Sequence, residues 1–195
     1  MTVAEYLRYE EASPIRHEYV HGDVYAMTGG TFRHNQITGN VFAQLKAAAR
    51  GGPCHVIVND FKVQAAEDLI YYPDVAVECV DRKGEDLLLD QPCVVVEVTS
   101  RSTRRVDRGE KLDAYRRIAS VRAYLIVDQT GRRVTHHSRQ PNGEWTSEEI
   151  ADKGTIRLPC PATTLTLDQI YEAVELPPMG VAEEWDSGVE DYATE

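Results

Sequence analysis

The segment Pro92–Tyr115, PCVVVEVTSRSTRRVDRGEKLDAY, decides the fold. Cys93 to Val98 is a short apolar run rich in β-branched residues, the pattern of a central strand buried on both faces. Glu97 interrupts it. A carboxylate in such a strand is costly to desolvate unless a cation or hydrogen-bond donors meet it. The strand ends at Thr99 and Ser100, and Ser102 or Thr103 can N-cap a helix running to about Ala119.

At about 100° per residue, Leu112, Tyr115, Ile118 and Ala119 of that helix form one apolar stripe. Lys111 falls inside the stripe, whereas Glu110, Asp113 and Arg117 lie on the opposite arc. A lysine turned toward the sheet can meet Glu97. The alternative is a lysine whose stem covers apolar surface while its ammonium reaches water.

A second carboxylate stands upstream in Tyr72-Pro73-Asp74-Val75-Ala76-Val77-Glu78-Cys79. Alternation puts Val75, Val77 and Cys79 on one face and Asp74, Ala76 and Glu78 on the other. Proline is tolerated at a strand's first residue, so this strand is expected to start at the aspartate. Asp74, Glu97 and Lys111 thus form two carboxylates and an amine on neighbouring core elements. Hard oxygen ligands of this kind suit Mg²⁺ or Mn²⁺.

The order Pro73-Asp74, then Val96-Glu97-Val98 before Ser100, then Asp107-x-x-x-Lys111-x-x-x-Tyr115 resembles the Uma-two family of endonucleases, within the PD-(D/E)XK nuclease superfamily. The resemblance runs from about Tyr6 to Ile170. It takes in His17 to Asp23, the helix opening His34-x-x-Ile37, and Tyr124 to Asp128. It implies a restriction-endonuclease-like core and a Mg²⁺- or Mn²⁺-dependent endonuclease that hydrolyses DNA phosphodiester bonds. Asp74 and Glu97 would be the metal ligands, and Glu18 and Lys111 would complete the catalytic set. In that superfamily the lysine stands two residues after the glutamate, where this chain has Thr99, so Lys111 would have to replace it. The family usually has proline where Arg101 stands.

A chain of 195 residues with 42% apolar residues can bury one sizeable core. One nuclease-like domain over residues 1–178, with an N-terminal helix and hairpin, is the expectation. No signal peptide or membrane span is evident, which predicts a cytoplasmic protein. Cys54, Cys79, Cys93 and Cys160 form no C-x-x-C pair, so they read as reduced core residues and not as a zinc site. The formal charge of −11 argues against a protein that coats nucleic acid nonspecifically. That charge is uneven. Val181 to Glu195 carries six acidic residues and no basic ones, within an acidic tail, residues 179–195, expected to be mobile unless a partner subunit holds Trp185. Between Arg101 and Arg117, seven basic residues outnumber three acidic ones.

Along the rest of the chain, Thr2-x-x-Glu5 and Thr166-x-x-Gln169 fit capping boxes. His17 to Met27 reads as two strands around the turn His21-Gly22-Asp23. Glu18 lies on the first of them and is either a further carboxylate of the metal site or a surface strand residue. His34 opens a core helix with Ile37, Val41, Phe42, Leu45 and Ala48, and reads either as a capping or solvent-facing histidine or as one with a direct role in the site. His55 to Ala65 alternates as one strand. Leu87 to Leu89 has no assignment. Arg122 to Asp128 is a buried strand, Arg132 to Ser138 another, and Glu144 to Glu149 an edge strand. His136 and His137 are adjacent, so they face opposite sides of their strand and read as surface residues. Leu167, Ile170, Tyr171 and Val174 give a last helix its apolar face, stopped by Pro177-Pro178.

This order of elements gives an α/β core with a mixed sheet flanked by helices, crossing over through the Lys111 helix. Two other readings stay open. One is a catalytically inactive nuclease-like domain serving as an interaction or nucleic-acid-binding module. The other is a Glu97–Lys111 pair that is only a buried structural ion pair. DNA is the expected partner, and a homodimer is expected from the task of cutting two strands.

Overall fold

The structure, a computed structural model, describes residues 1–27, 29–99 and 103–177. The readings of Ser100, Arg101, Ser102 and the acidic tail therefore fall outside the described residues.

The central layer is a six-stranded sheet. It is built from β3 (His55–Val58), β6 (Val75–Glu78), β8 (Pro92–Thr99), β9 (Ala123–Asp128), β10 (Arg133–Arg139) and β11 (Trp145–Ala151) in the order β11-β10-β9-β8-β6-β3. β8 and β9 run parallel, with Glu97 opposite Ile126. The other neighbouring pairs are antiparallel. A parallel pair needs a crossover. Here it is made by two short helices, α3 (Arg104–Arg108) and α4 (Glu110–Arg117). Gly109 separates them, so the single helix expected up to Ala119 is two. Glycine is the weakest interior helix former after proline.

The centre of β8 is inaccessible, with Val94, Val95 and Val96 at 0% exposure. Burying each such side chain contributes about 2 kcal/mol. Val94, Val96 and Val98 face one core. There they meet Ile37, Val41 and Leu45 of α2 (Phe32–Ala48). The hairpin of β12 (Thr155–Pro159) and β13 (Ala162–Thr166) joins the same core through Ile156, Leu158 and Leu165. So does the short helix α5 (Leu167–Ile170). Val95 faces the other core, with Leu112 and Tyr115 of α4. Glu97, two residues on, shares that face.

A second sheet closes this other side. It comprises β1 (His17–Val20), β2 (Asp23–Ala26), β4 (Lys62–Ala66), β5 (Leu69–Tyr71) and β7 (Leu88–Leu89), in the order β2-β1-β5-β4-β7. Val63, Leu69 and Tyr71 of this sheet reach the α4 core. At its outer side α1 (Val3–Ala12) packs Tyr6 on Tyr19 and Ile70. The helix begins with the expected capping box, Thr2 accepting from the Glu5 amide and Glu5 from the Thr2 amide. The turn between β1 and β2 places His21 at φ 50° and Gly22 at φ 100°, the left-handed pair of a tight hairpin.

The α/β fold with a mixed sheet is thus the one the element order predicts, with several corrections. The run His55 to Ala65 is not one strand: Asn59 and Asp60 adopt φ 45° and 46° and send β3 and β4 into different sheets. Leu88 and Leu89 form β7, parallel to β4. β6 begins at Val75, leaving Asp74 in the turn before it. α5 is a single turn ended by Tyr171, well short of the prolines, although its capping box forms as expected. His136 and His137 are not surface residues but are 6% exposed. His137 stacks on Tyr124, and His136 contacts Glu148. The cysteines are not reduced. Cys54 bonds to Cys79 and Cys93 to Cys160. Cys54 and Cys79 flank the antiparallel pair His55↔Glu78, a proximity that a sequence separation of 25 conceals.

Candidate active site

Strand β8 brings Glu97 under α4 because β8 is buried on both faces and α4 covers one of them. The Glu97 side chain is 5% exposed. Its Oε1 accepts from the Lys111 ammonium at 3.1 Å and from the Tyr115 hydroxyl at 3.2 Å. Oε2 has no hydrogen-bond partner among the described residues. Burial pushes the Glu97 pKa well up, and the Asp107, Asp74 and Glu18 carboxylates push it further while Lys111 opposes them.

Lys111 is turned inward, 7% exposed, and its ammonium collects three carboxylates. Glu18 Oε1 lies at 2.8 Å, Glu97 Oε1 at 3.1 Å and Asp107 Oδ1 at 3.6 Å. The ammonium also sits 5.4 Å from the centre of the Tyr71 ring. Burial alone would lower its pKa, but Glu97, Glu18 and Asp107 together hold it above the ordinary lysine value. Lys111 is therefore a cation at neutral pH. Asp107, 2% exposed, has its own pKa raised by burial, with Lys111 and Thr103 acting in the opposite direction.

Asp74 is held from two sides. Its Oδ2 accepts the Val98 backbone N–H at 2.6 Å, which fixes it to the end of β8. His34 Nε2 stands 2.8 Å from its Oδ1. Burial acts to lower the His34 pKa, yet the hydrogen bond and charge of Asp74 leave it raised. His34 is thus neither a simple cap nor solvent-facing. Its backbone N–H does donate to the Thr31 hydroxyl at the helix start, but its ring turns into the site. Gly30 lies against that ring so closely that an added Cβ would come within 2.8 Å of His34 Cδ2. A side chain at position 30 would displace the imidazole.

These groups line one cavity of about 220 Å³, with Glu18, His34, Asp74, Glu97, Asp107 and Lys111 supplying its charged wall. Tyr25, Met27 and Tyr72 add apolar surface to the wall. The structure therefore brings together all four residues selected from sequence, Glu18, Asp74, Glu97 and Lys111. Sequence reading did not select Asp107 for the site. Its spacing of four from Lys111 was the available signal, and the intervening Gly109 obscured it. His34 could be placed only by the 40-residue return of the chain to Asp74.

The donor set fits a hard divalent cation. Three carboxylates lie within 3.6 Å of the Lys111 ammonium and Asp74, paired with His34, lines the same cavity, so the buried negative charge in excess must be offset by protons or by metal. Oxygen-only donors favour Mg²⁺-like ions over zinc.

The model of the Uma2 family, described as "Putative restriction endonuclease", matches residues 3–169. Two uncharacterized Synechocystis proteins are similar in sequence. Protein slr1290 is 32% identical over 173 residues, covering 87% of this chain and 90% of that protein. Protein sll1609 is 30% identical over 154 residues, covering 77% and 87%. A crystal structure described as a putative nuclease from Anabaena variabilis superposes with a TM-score of 0.71. The match covers 88% of this chain and 97% of that one at 13% identity, a shared fold.

Proposed function

Since this chain belongs to the Uma2 family, we propose that it is a metal-dependent endonuclease hydrolysing DNA phosphodiester bonds. The observation that carries this reading is the convergence of Glu18, Asp74, Glu97 and Asp107 around Lys111 in a single cavity. A structural ion pair needs one carboxylate for its lysine. Three within 3.6 Å, with Asp74 beside them, are better matched to a site that loads a divalent cation.

Asp74 and Glu97 would hold Mg²⁺ or Mn²⁺. Such an ion polarises a scissile phosphate and lowers the pKa of bound water. Asp74 is pre-oriented by His34 and the Val98 amide, so its carboxylate is fixed before any ligand arrives. Lys111, kept protonated by its neighbours, offsets charge developing on the phosphate and is a poor general base at neutral pH. Glu18 and Asp107 hold the ammonium in place. Tyr115 donates to Glu97 and limits its rotation. Among the described residues no helix is long and apolar enough to cross a membrane.

The test combines Mn²⁺ and Mg²⁺ calorimetry with cleavage of plasmid and single-stranded DNA. Wild type should bind metal and cut. Asp74→Ala should abolish both binding and metal-dependent thermal stabilisation. Metal binding without cleavage of either DNA would remove the nuclease assignment and leave the inactive binding module. Absence of both would reduce the cluster to a structural ion-pair network.

A further inference from the structure

The chain's four cysteines gather at the ends of β6 and β8 remote from Asp74 and Glu97, three with their sulfurs close together and Cys54 tied to them through its bond to Cys79. They arrive from four separate segments. Cys54 precedes β3, Cys79 follows β6, Cys93 lies near the start of β8, and Cys160 lies between β12 and β13. The sulfurs of Cys79 and Cys93 belong to different disulfides, yet they are only 3.7 Å apart. The Sγ atoms of Cys79, Cys93 and Cys160 all lie within 4.8 Å of one another. Cys54 is bonded to Cys79 and so adjoins the same cluster.

The pairing of Glu78 with Pro92 sets Cys79 beside Cys93 and brings the two disulfides into contact. Four thiolates around a tetrahedral zinc have a matching spacing: a Zn–S bond of about 2.3 Å puts the sulfurs roughly 3.8 Å apart. The unbonded Cys79–Cys93 separation already has that value. The site is also largely screened from solvent, with Cys93 at 9% exposure and Cys79, Cys54 and Cys160 partly buried against the first core. No hard ligand is involved, so the site differs in chemistry from the carboxylate cavity.

We propose that Cys54, Cys79, Cys93 and Cys160 form a redox-gated thiolate site that binds one Zn²⁺ when reduced and closes as two disulfides when oxidised. Opening requires a two-electron reductant for each disulfide, such as a dithiol. Each disulfide accepts two electrons and two protons, and the dithiol departs as its own disulfide. Zinc then displaces the protons of the four thiols. In either state the cluster ties β3, β6, β8 and the β12–β13 hairpin together. β6 follows Asp74 and β8 carries Glu97, so the clasp fixes the two strands that frame the cavity.

The test begins with the whole chain reduced by a phosphine, which is then removed without oxygen. Co²⁺ is titrated in as an optical probe and displaced with Zn²⁺. One equivalent should give a thiolate-to-cobalt charge-transfer absorption that carboxylates do not produce. Asp74→Ala should keep this absorption, and Cys79→Ser with Cys160→Ser should lose it. Absence of the absorption in reduced wild type, or its survival in the double variant, overturns the proposal. Alkylation of the reduced wild type guards against variants that fail to fold. Mass spectrometry should show four alkyl groups without Zn²⁺ and none with it. Equal alkylation under both conditions overturns the proposal as well.

Discussion

At the scale of single residues, the site depends on electrostatic imbalance around Glu97 and Lys111. Glu97→Gln removes the charge that burial disfavours while keeping the shape. The metal-free protein should therefore change by less than about 1 kcal/mol in urea unfolding. Metal-dependent stabilisation should vanish, and cleavage should fall at least about 100-fold. Lys111→Ala leaves buried carboxylates unpaired and should cost about 3–5 kcal/mol without metal. Equal losses from the two variants would point to a purely structural pair. His137 gives a separate pH prediction. Burial, with Arg116, His136 and Arg108 adding, pushes its pKa down from 6.5 to about 4. The fold thus prefers the neutral imidazole. Its contribution is complete above pH 6.5 and is lost as the pH falls toward about 4, up to roughly 3 kcal/mol. Denaturation of wild type and His137→Asn across that range checks this: the variant should show the shallower loss.

At the scale of elements, α4 must be held against β8 for Lys111 to reach Glu97. Its C-terminal end is fixed by Arg139 of β10, whose guanidinium donates to the carbonyls of Arg116, Ile118 and Ala119. Arg139 also lies 5.0 Å from the centre of the Trp145 ring. Arg139→Ala should cost about 2 kcal/mol and reduce cleavage, since three carbonyls at the helix end, two of them part-buried, lose their donor. Arg139→Lys should restore little, because an ammonium cannot reproduce the fork. Thermal melts and cleavage rates on the same samples decide it. The two capping boxes were legible as elements because their residue types and spacing are local. The break at Gly109 and the divergence of β3 and β4 at Asn59 and Asp60 were not. Both are backbone turns inside runs whose residue pattern continues across them.

At the scale of the whole molecule, a chain of net charge −11 must still approach a polyanion if it cuts DNA. Loading the acidic cavity with a divalent cation removes the strongest local repulsion. DNA affinity, measured by fluorescence anisotropy, should rise at least about tenfold when Ca²⁺ replaces a chelator. No difference would take the metal out of substrate binding. The sequence by itself determined the mixed α/β order and the doubly buried strand at Cys93 to Val98, and it left Lys111 of the following helix open between meeting Glu97 and reaching water. These follow from hydrophobic periodicity and from the cost of burying Glu97 alone, both readable within a few residues. It also singled out Asp74, from the alternation of its strand, and Glu18, through the resemblance of the ordered motifs. Only the tertiary structure decided that Glu18 shares Lys111 with Glu97 and that His34 orients Asp74. The same holds for Asp107 closing the carboxylate ring and for the four cysteines converging at the far end of β6 and β8. Each of these depends on which segments the sheet order makes neighbours. That order is set by packing two cores against the two faces of one sheet, and no local pattern encodes it.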